Sequence, residues 1–372
     1  VARPAFSAVD IAAHRWLAGR MEEAGFSVHL DPVGNLFGLA DVKSLLIGSH
    51  SDSQPEGGWL DGALGVVAGL EIARASREAG GPPISVVNFQ DEEGRFGVLT
   101  GSEVWTGKLS LTEADQLTST DGLTFAAARA HMSERSREFL PHDHFTGFIE
   151  MHIEQGPNLD CSEDRIGVVS NIVGIREARV EIRGRQNHAG TTPMHLRQDA
   201  FQALMDFNQH INRRFETLAS ANTVWTLGHV ELSPNASSVV PGVARFTLQW
   251  RDGDMGRLEA MGETLRDVAA RVAQERSVTI EVAPVAGIDP SNMDAAITQA
   301  LRSAAQELAP GQWRDMPSGA LHDAANVSRV MPAAMLFVPS IGGISHAFDE
   351  DTEEADLVLG LEVLNRAAQS LA

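Results

Sequence analysis

The chain has 372 residues, 43% of them hydrophobic, which is enough for about two domains with buried cores. Its 29 Lys and Arg residues against 50 Asp and Glu give a formal net charge of −21, and this negative field repels nucleic-acid phosphates and anionic membrane surfaces. Cys161 is the single cysteine, so an intrachain disulfide is excluded, and no apolar run approaches the roughly 18 residues of a membrane span. We expect a cytoplasmic protein without nucleic-acid or membrane partners.

The first part of the chain, together with its last part, predicts a sheet of buried strands with helices between them. A helix over residues 62–79 is expected to turn Leu64, Val67 and Leu70 inward. Continuous apolar strands are predicted at Ser44–His50, Ile84–Phe89, Phe145–Ile153 and residues 333–340. Uninterrupted apolar strands that alternate with helices favour an α/β fold, with a mostly parallel mixed sheet covered by helices on both faces.

Residues 174–287 have a different pattern, in which strands alternate polar and apolar residues. The predicted elements are a strand at 176–184, a helix at 199–214, strands at 222–231 and 244–251, a helix at 255–275 and a strand at 277–284. Such alternation is typical of an antiparallel sheet with one solvated face, so this βαββαβ segment is expected to be an inserted α+β domain. The chain is therefore divided into a discontinuous larger domain, 1–173 and 288–372, and an inserted domain, 174–287.

Imidazole and carboxylate groups lie at, or shortly after, the end of each of the four predicted buried strands. In chain order they are His50, Asp52 and Asp61, then Asp91, Glu92 and Glu93, then His152, and finally His346. Ligands of open α/β sheets bind at the carboxyl ends of the strands, so these groups are expected to meet in one crevice. Five nitrogen and oxygen ligands with a carboxylate to spare are typical of a two-metal hydrolytic site, in which a carboxylate bridges ions about 3.5–4 Å apart.

Each of these signals also has an ordinary structural explanation. A histidine at a strand end is often a satisfied core residue, Asp-Gly is a turn signal, and adjacent glutamates usually face solvent. Packing explains four such groups at four strand ends less well, because each buried polar side chain would need its own partner. We therefore interpret the set as a metal site.

Seven motifs occur in an order that resembles one known family. They are "GSHSDSQPEGGWLDGALG", "DEEGRFG", "GSEVWTG", "HIEQGP", "NHAGTTPM", "PSGALHDA" and "FVPSIGGISH". Over nearly its whole length the chain resembles the M20 metallopeptidase and amidohydrolase family, in particular its branch of N-carbamoyl-L-amino acid hydrolases, allantoate amidohydrolases and β-ureidopropionases. The resemblance implies a catalytic domain that binds two divalent metal ions, with residues 174–287 as the lid and dimerisation domain of a homodimer.

The resemblance also implies a role for each residue of the strand-end set. The implied metal ligands are His50 and His152 for one ion, Glu93 and His346 for the other, and Asp61 as the bridge between them. Asp52 is expected to fix the tautomer of His50, and Glu92 to act as the general base. Zinc or manganese is expected, and cobalt or nickel also suits imidazole and carboxylate ligands.

Other residues are assigned to the substrate by the same resemblance. His188 is expected to reach the neighbouring subunit's site and stabilise the oxyanion, the alternative being a histidine that caps the following helix. Arg251 is expected to pair with the substrate's α-carboxylate, the alternative being a solvated charge at a strand end. Gln155 resembles a polar group near the scissile bond, and His322 is expected to line the same pocket.

The chain departs from the family pattern at several positions. Ser238 stands where asparagine is common, and Leu321 stands where glycine lets backbone approach the ligand. The usual Asp-x-Arg has become Gln249-Trp250-Arg251, and "EEGRFG" is one residue shorter than the more frequent "EEGSRFG". Because Ser238 and Leu321 fall among residues thought to hold the amino-acid part of the substrate, these changes bear on substrate choice.

The sequence therefore predicts a two-metal amidohydrolase that cleaves the linear C–N bond of an N-carbamoyl or related N-acyl amino acid, a small molecule that bears a carboxylate. The first alternative is a deacylase or dipeptidase-like hydrolase of the same fold. The second is a catalytically silent metal-binding or amino-acid-binding protein, and the retention of Glu92 with all the expected ligands argues against it.

Overall fold

The structure is a computed structural model that describes residues 1–132 and 136–371. The chain divides into two compact units. Unit 1 comprises Val1–Ile172 and Asn292–Ala372, and unit 2 comprises Val173–Ser291. The sequence pattern predicted the inserted domain over residues 174–287.

Helices and strands alternate along much of the described chain. The helices are α1 (Ala8–Glu23), α2 (Ala63–Glu78), α3 (Thr100–Trp105), α4 (Leu111–Ala114), α5 (Phe125–Ala130), α6 (Asn158–Ser162), α7 (Ala200–Leu218), α8 (Met255–Arg276), α9 (Ala295–Leu308), α10 (Asp323–Val327) and α11 (Glu354–Ser370). The strands are β1 (Ser27–Leu30), β2 (Leu36–Leu39), β3 (Ser44–His50), β4 (Ile84–Phe89), β5 (Phe145–Ile153), β6 (Ile166–Ile172), β7 (Gly174–Arg183), β8 (Asn187–His188), β9 (Val224–Ser233), β10 (Val239–Val240), β11 (Val243–Asp252), β12 (Thr279–Val282), β13 (Ala286–Ile288), β14 (Ser291–Asn292), β15 (Trp313–Ser318) and β16 (Ala333–Val338).

Unit 1 is built on a mixed sheet with the strand order β1-β2-β4-β3-β5-β16-β6-β14, and β15 pairs with β6. The central strands β4, β3, β5 and β16 are parallel to one another, and antiparallel pairs occur toward both edges of the sheet. Every residue of β3, β4 and β16 is buried. Helix α1 packs on β1 and β2, α2 on β3 and β4, and α9 and α11 on β16. The predicted α/β fold with a mostly parallel mixed sheet is confirmed.

The predicted inward face of helix α2 is wrong in one respect. Val67 is 51% exposed, and the other two residues expected to point inward are only partly buried. The buried face instead combines Val66 and Ile72 with two glycines. A Cβ at Gly65 would collide with the carbonyl oxygen of Met151, and one at Gly69 would lie 3.0 Å from the carbonyl oxygen of Ile47. Glycine is therefore required where the helix lies closest to the strands, and a hydrophobic pattern does not reveal such positions.

Unit 2 is an antiparallel sheet with the order β12-β7-β11-β9, to which β13 adds by pairing with β7, and β8 and β10 form a separate pair. Helices α7 and α8 pack against each other and against β7 and β11, where they bury Phe207, Phe246 and Trp250. The opposite face carries charged side chains such as Arg179 and Arg245. These strands and helices match the alternating pattern read from the sequence.

Candidate metal centre

The carboxyl ends of the four central strands of unit 1 lie at one edge of the sheet, because β4, β3, β5 and β16 are adjacent and parallel. His50 is the last residue of β3, and His152 is the last but one of β5. Glu92 and Glu93 follow β4, and the chain leaving β16 leads to His346. The topology therefore places the side chains from all four strand ends at the same end of the sheet.

One group of potential metal ligands consists of His50, Asp61 and His152, all of them buried. One ligand atom from each lies within 4.8 Å of the others. Asp61 Oδ1 is 3.1 Å from His152 Nε2 and 3.7 Å from His50 Nε2. Two strands and the start of α2 supply these three side chains, so the group forms only when unit 1 folds.

A second group consists of Asp61, Glu93 and His346. His346 Nε2 lies 3.1 Å from Asp61 Oδ2 and 3.6 Å from Glu93 Oε2. The two groups therefore share Asp61, which turns Oδ1 toward the first and Oδ2 toward the second. Gln54, which the sequence analysis did not single out, holds Glu93: its side-chain amide donates to Glu93 Oε2 at 2.9 Å and its backbone N–H donates to Oε1 at 3.2 Å.

The donor atoms fit divalent cations. Ligand atoms bound at about 2.0–2.2 Å around a tetrahedral ion stand about 3.4 Å apart, and the separations from Asp61 to the imidazoles, 3.1–3.7 Å, bracket that value. His50 Nδ1 faces the backbone oxygen of Asp52 at 3.1 Å, and His152 Nδ1 faces that of Ile153 at 2.9 Å. A ring that donates from Nδ1 presents the Nε2 lone pair to the centre, which is the tautomer a metal ligand needs.

The imidazoles and carboxylates shift one another's pKa values. Burial opposes ionisation of Asp61, but its hydrogen bonds with His152 and His346 hold its pKa well below the ordinary value. Burial likewise favours the neutral ring of His50, but the surrounding carboxylates, Glu92 foremost, raise the pKa of His50 well above the ordinary value. The site therefore concentrates negative charge that protons or divalent cations neutralise.

Glu92 lies beside both groups and belongs to neither. It is 8% exposed, and its Oε2 is 3.5 Å from His50 Nε2. Burial is the main cause that raises the pKa of Glu92 well above its ordinary value. Asp52 supports the same segment, because its two oxygens accept the backbone N–H groups of Glu92 and Glu93 at 3.3 and 3.2 Å. Asp52 Oδ1 also lies 3.4 Å from His50 Nδ1, so one carboxylate fixes both the ring and the Glu92 backbone.

Three residues at this edge of the sheet have a left-handed backbone although none is glycine. The φ angles are 55° at Asp91, 58° at Gln155 and 54° at His346. Each such residue costs about 1–3 kcal/mol, and strain of this kind concentrates at functional sites. Gln155 uses its conformation to donate from Nε2 to Asp61 Oδ2 at 3.0 Å, so this predicted substrate residue touches the shared carboxylate.

Glu150 is a buried carboxylate that the sequence analysis missed. It forms a third group with His152 and His322, and it accepts hydrogen bonds from Ser49 Oγ at 2.6 Å and from the backbone N–H of Ala324 at 2.9 Å. The His322 ring lies 4.5 Å from the His152 ring, and burial holds the pKa of His322 well below its ordinary value. A neutral His322 therefore packs behind His152. The spacing Glu150-x-His152 on one strand, which puts both side chains on one face, is the signal that could have revealed this residue.

His188 and Ser238 lie close together in unit 2. Strand β8 pairs with β10, and the backbone N–H of Ala189 donates to the Ser238 carbonyl at 3.0 Å. His188 is exposed, and its Nδ1 accepts backbone N–H groups from Gly190 at 3.0 Å and Thr191 at 3.2 Å. Because Nδ1 accepts, the ring proton is on Nε2, and the exposed ring offers a hydrogen-bond donor.

Arg251 lies in unit 2 on the sheet face opposite the buried Trp250. Its Nε and Nη2 donate to Gln249 Oε1 at 3.1 and 3.0 Å, and Gln249 Nε2 donates to Glu177 Oε2 at 3.2 Å. Gln249, one of the departures from the family pattern, therefore orients the guanidinium. Leu321, another departure, belongs to unit 1 and is partly buried against its core.

A mostly parallel α/β sheet whose strand ends gather imidazoles around a shared carboxylate, with a buried glutamate beside them, is the arrangement that suits a metal-dependent hydrolase. The family model described as Peptidase family M20/M25/M40 matches residues 46–370. The chain belongs to this family.

Curated relatives and solved structures extend the match to the whole chain. An N-carbamoyl-L-amino-acid amidohydrolase from Paenarthrobacter aurescens is 35% identical, over 100% of this chain and 93% of the relative. A ureidoglycolate hydrolase from Oryza sativa subsp. japonica is 31% identical, over 100% and 80%. The crystal structure of an amidase of the hydantoinase/carbamoylase family from Burkholderia phymatum has a TM-score of 0.93 and 45% identity, over 100% of this chain and 92% of that one.

None of the helices within residues 1–132 and 136–371 combines the length and the apolar character that crossing a bilayer requires.

Proposed function

We propose that the chain is a two-metal amidohydrolase that cleaves the linear C–N bond of an N-carbamoyl amino acid. The observation that carries this proposal is the position of Asp61, whose two oxygens serve two separate groups of donors with Glu92 beside them. The similarity to N-carbamoyl-L-amino-acid amidohydrolases supports the carbamoyl group as the one removed. The products would be the free amino acid, ammonia and carbon dioxide.

Two divalent cations would bind through the residues described above. His50 and His152 would hold one ion, Glu93 and His346 the other, and Asp61 would bridge them. When bound, such cations polarise the scissile carbonyl and make the attacking water more acidic. We propose zinc or manganese, and cobalt or nickel would suit the same donors.

Glu92 would be the general base that takes a proton from the attacking water and returns it to the leaving nitrogen. Two features support this role. Burial raises the pKa of Glu92 and so makes the carboxylate a stronger base, and its oxygens are not part of either ligand group. Asp52, which accepts the backbone N–H of Glu92 at 3.3 Å, would keep the base at a fixed distance from His50.

We further propose that unit 2 is a lid and dimerisation domain, and that His188 stabilises the oxyanion in the neighbouring subunit's site. Its exposed ring offers a donor of the kind whose removal costs a few kcal/mol in such sites. Among the described strands, β9 is an edge strand of its sheet. Its Val224 and Val230 are 57% and 46% exposed. An edge strand of ten residues with apolar side chains favours pairing with a second chain, which supports a homodimer.

The substrate would be held by its carboxylate and near its scissile bond. Arg251, oriented by Gln249, would bind the carboxylate through paired hydrogen bonds, and Gln155 would contact the reacting group. Ser238 and Leu321 would shape the pocket for the amino-acid part. His322 is 1% exposed, so we propose that it acts by packing against His152.

A substrate panel tests the proposal. The purified protein, loaded in turn with zinc and manganese, is offered N-carbamoyl, N-formyl and N-acetyl derivatives of one amino acid together with a dipeptide, and ammonia, carboxylic acid and free amino acid are measured. Ammonia from the carbamoyl compound alone, lost on chelation and restored by metal, is the expected result. Preferred release of formate or acetate, or cleavage of the dipeptide, would instead support a deacylase or dipeptidase-like hydrolase.

A further inference from the structure

Glu350 is a buried carboxylate that connects two distant loops of the metal centre. It is 1% exposed. Its Oε1 accepts the backbone N–H groups of Leu60 at 3.1 Å and Asp61 at 3.0 Å. Its Oε2 accepts the Ser345 hydroxyl at 3.0 Å and the backbone N–H of His346 at 3.3 Å. Each oxygen thus serves one loop, and the two loops are separated by more than 280 residues of sequence.

The two loops carry two of the three residues of the second ligand group. One contains Asp61, shared by both groups, and the other contains His346. The His50 and His152 rings are each 1% exposed and held by packing, whereas the His346 side chain is 48% exposed. Packing therefore fixes His346 far less, and the backbone hydrogen bond to Glu350 is a main restraint on its position.

Gly58 shows that the chain makes room for this carboxylate. A Cβ at Gly58 would lie closer than 3.0 Å to three atoms of the Glu350 carboxylate. The second glycine of "EGGWLDG" is thus required by the approach of Glu350, and any side chain at this position would push the carboxylate away from the Asp61 loop.

We propose that Glu350 is a positioning residue that sets the distance between Asp61 and His346 and thereby the affinity of the second ligand group for its ion. The inference rests on the two-ion centre of the proposed function. Residues that orient metal ligands typically contribute about 10- to 100-fold to metal affinity or activity. We expect an effect of this size on the ion held by Glu93 and His346. The ion held by His50 and His152 shares Asp61 but is surrounded by buried ligands, so its affinity should fall less.

The test is Glu350→Gln, which keeps the shape of the side chain but replaces one of its two acceptor oxygens with an NH₂ group. An NH₂ group cannot accept a hydrogen bond, so the side chain can then accept from only one of the two loops. We expect zinc titration of the metal-free variant to show one site weakened about 10- to 100-fold and a second site weakened clearly less. The value of kcat at limiting zinc should fall and should recover in excess zinc, while KM stays within about twofold. A general loss of structure would weaken both sites alike, so the unequal loss of affinity at the two sites distinguishes a positioning role.

Two further variants complete the experiment. Glu353→Gln removes an exposed charge three residues away and should behave as wild type. Gly58→Ala disturbs the carboxylate from the other side and should reproduce the weakened site, which keeps the test available if Glu350→Gln does not fold.

The outcomes separate this inference from the proposed function. Wild-type protein that binds fewer than two ions would overturn both. Wild-type protein with two ions, together with Glu350→Gln or Gly58→Ala of unchanged affinity at both sites, would overturn the role of Glu350 alone.

Discussion

Replacing Gly62 with alanine tests whether the His50 ring must keep its position. An alanine Cβ at Gly62 would lie closer than 3.0 Å to three atoms of that ring. Ordinary carbon contacts are about 3.5–4.0 Å, so the ring must retreat by more than about 0.5 Å. Because metal–ligand distances tolerate only about 0.2 Å, we expect the displaced imidazole to lose its hold on the ion it shares with His152.

A second glycine with positive φ serves as a control for this collision. Gly62 has a φ of +63° and Gly80 a φ of +65°, but nothing lies within 4 Å of a Cβ at Gly80. Alanine at a positive φ costs about 1–2 kcal/mol in the left-handed helical region, and Gly62, with a ψ of −46°, lies outside that region. Both variants should therefore lower the free energy of unfolding, Gly62→Ala by more than Gly80→Ala. Only Gly62→Ala should also lose metal, and its kcat/KM should fall about 100-fold or more, as expected for catalytic groups misplaced on the ångström scale.

Three measurements decide the outcome. Metal per chain is determined by elemental analysis after dialysis, kcat/KM with an N-carbamoyl amino acid, and the free energy of unfolding by chemical denaturation of the metal-free proteins. If Gly62→Ala matched Gly80→Ala in metal content and kcat/KM, the reasoning that ties the His50 ring to the ion would be refuted.

Three other predictions concern the proposed catalytic roles. Glu92→Ala should lower kcat at least about 100-fold while metal content stays near that of wild type, because a general base is removed and no ligand is lost; elemental analysis alongside kinetics checks this. Mixing inactive His188→Ala chains with inactive Glu92→Ala chains should restore part of the activity in heterodimers, since one site would then have both residues. Arg251→Ala should raise KM most for substrates with a free carboxylate, and comparison with the corresponding amides measures the difference.

Each of these predictions has a result that contradicts it. Loss of metal from Glu92→Ala would make Glu92 a ligand. Absence of recovery after mixed refolding, with heterodimers demonstrated by differential tagging, would contradict the sharing of His188 across subunits. An equal rise in KM for acids and amides would argue against the contact between Arg251 and the carboxylate.

The ligand-bearing strands could be predicted because they are continuous apolar runs bounded by glycine, proline and acidic residues. Once β3, β4, β5 and β16 are taken as parallel, the residues after them must share one edge, and the structure brings His50, Asp61, His152 and His346 together there. The packing of helix α2 could not be predicted in the same way. The hydrophobic pattern selected Val67, whereas the buried face contains Val66 and Ile72 together with two glycines that allow close approach because they have no side chain.

The residues that hold the ligands in place were the least accessible to sequence reasoning. Glu350 lies in the acidic run "FDEDTEE", which has the composition of a solvated surface, and Glu150 lies inside an apolar strand. Both are buried because backbone N–H or hydroxyl groups from distant segments satisfy their oxygens. Composition cannot distinguish a carboxylate that accepts such bonds from one that faces water, because the donors are known only after folding.

The two ends of the segment inserted into unit 1 lie close together, which affects how readily its length can change in evolution. The backbone N–H of Met293 donates to the Ser170 carbonyl at 3.1 Å, so the segment between them is, for the sheet of unit 1, a loop with its ends already joined. Doubling the length of such a loop costs only about 0.6 kcal/mol of closure entropy. Evolution can therefore lengthen or shorten the intervening module at little thermodynamic penalty to this sheet, while the strand ends that carry the candidate metal ligands stay unchanged.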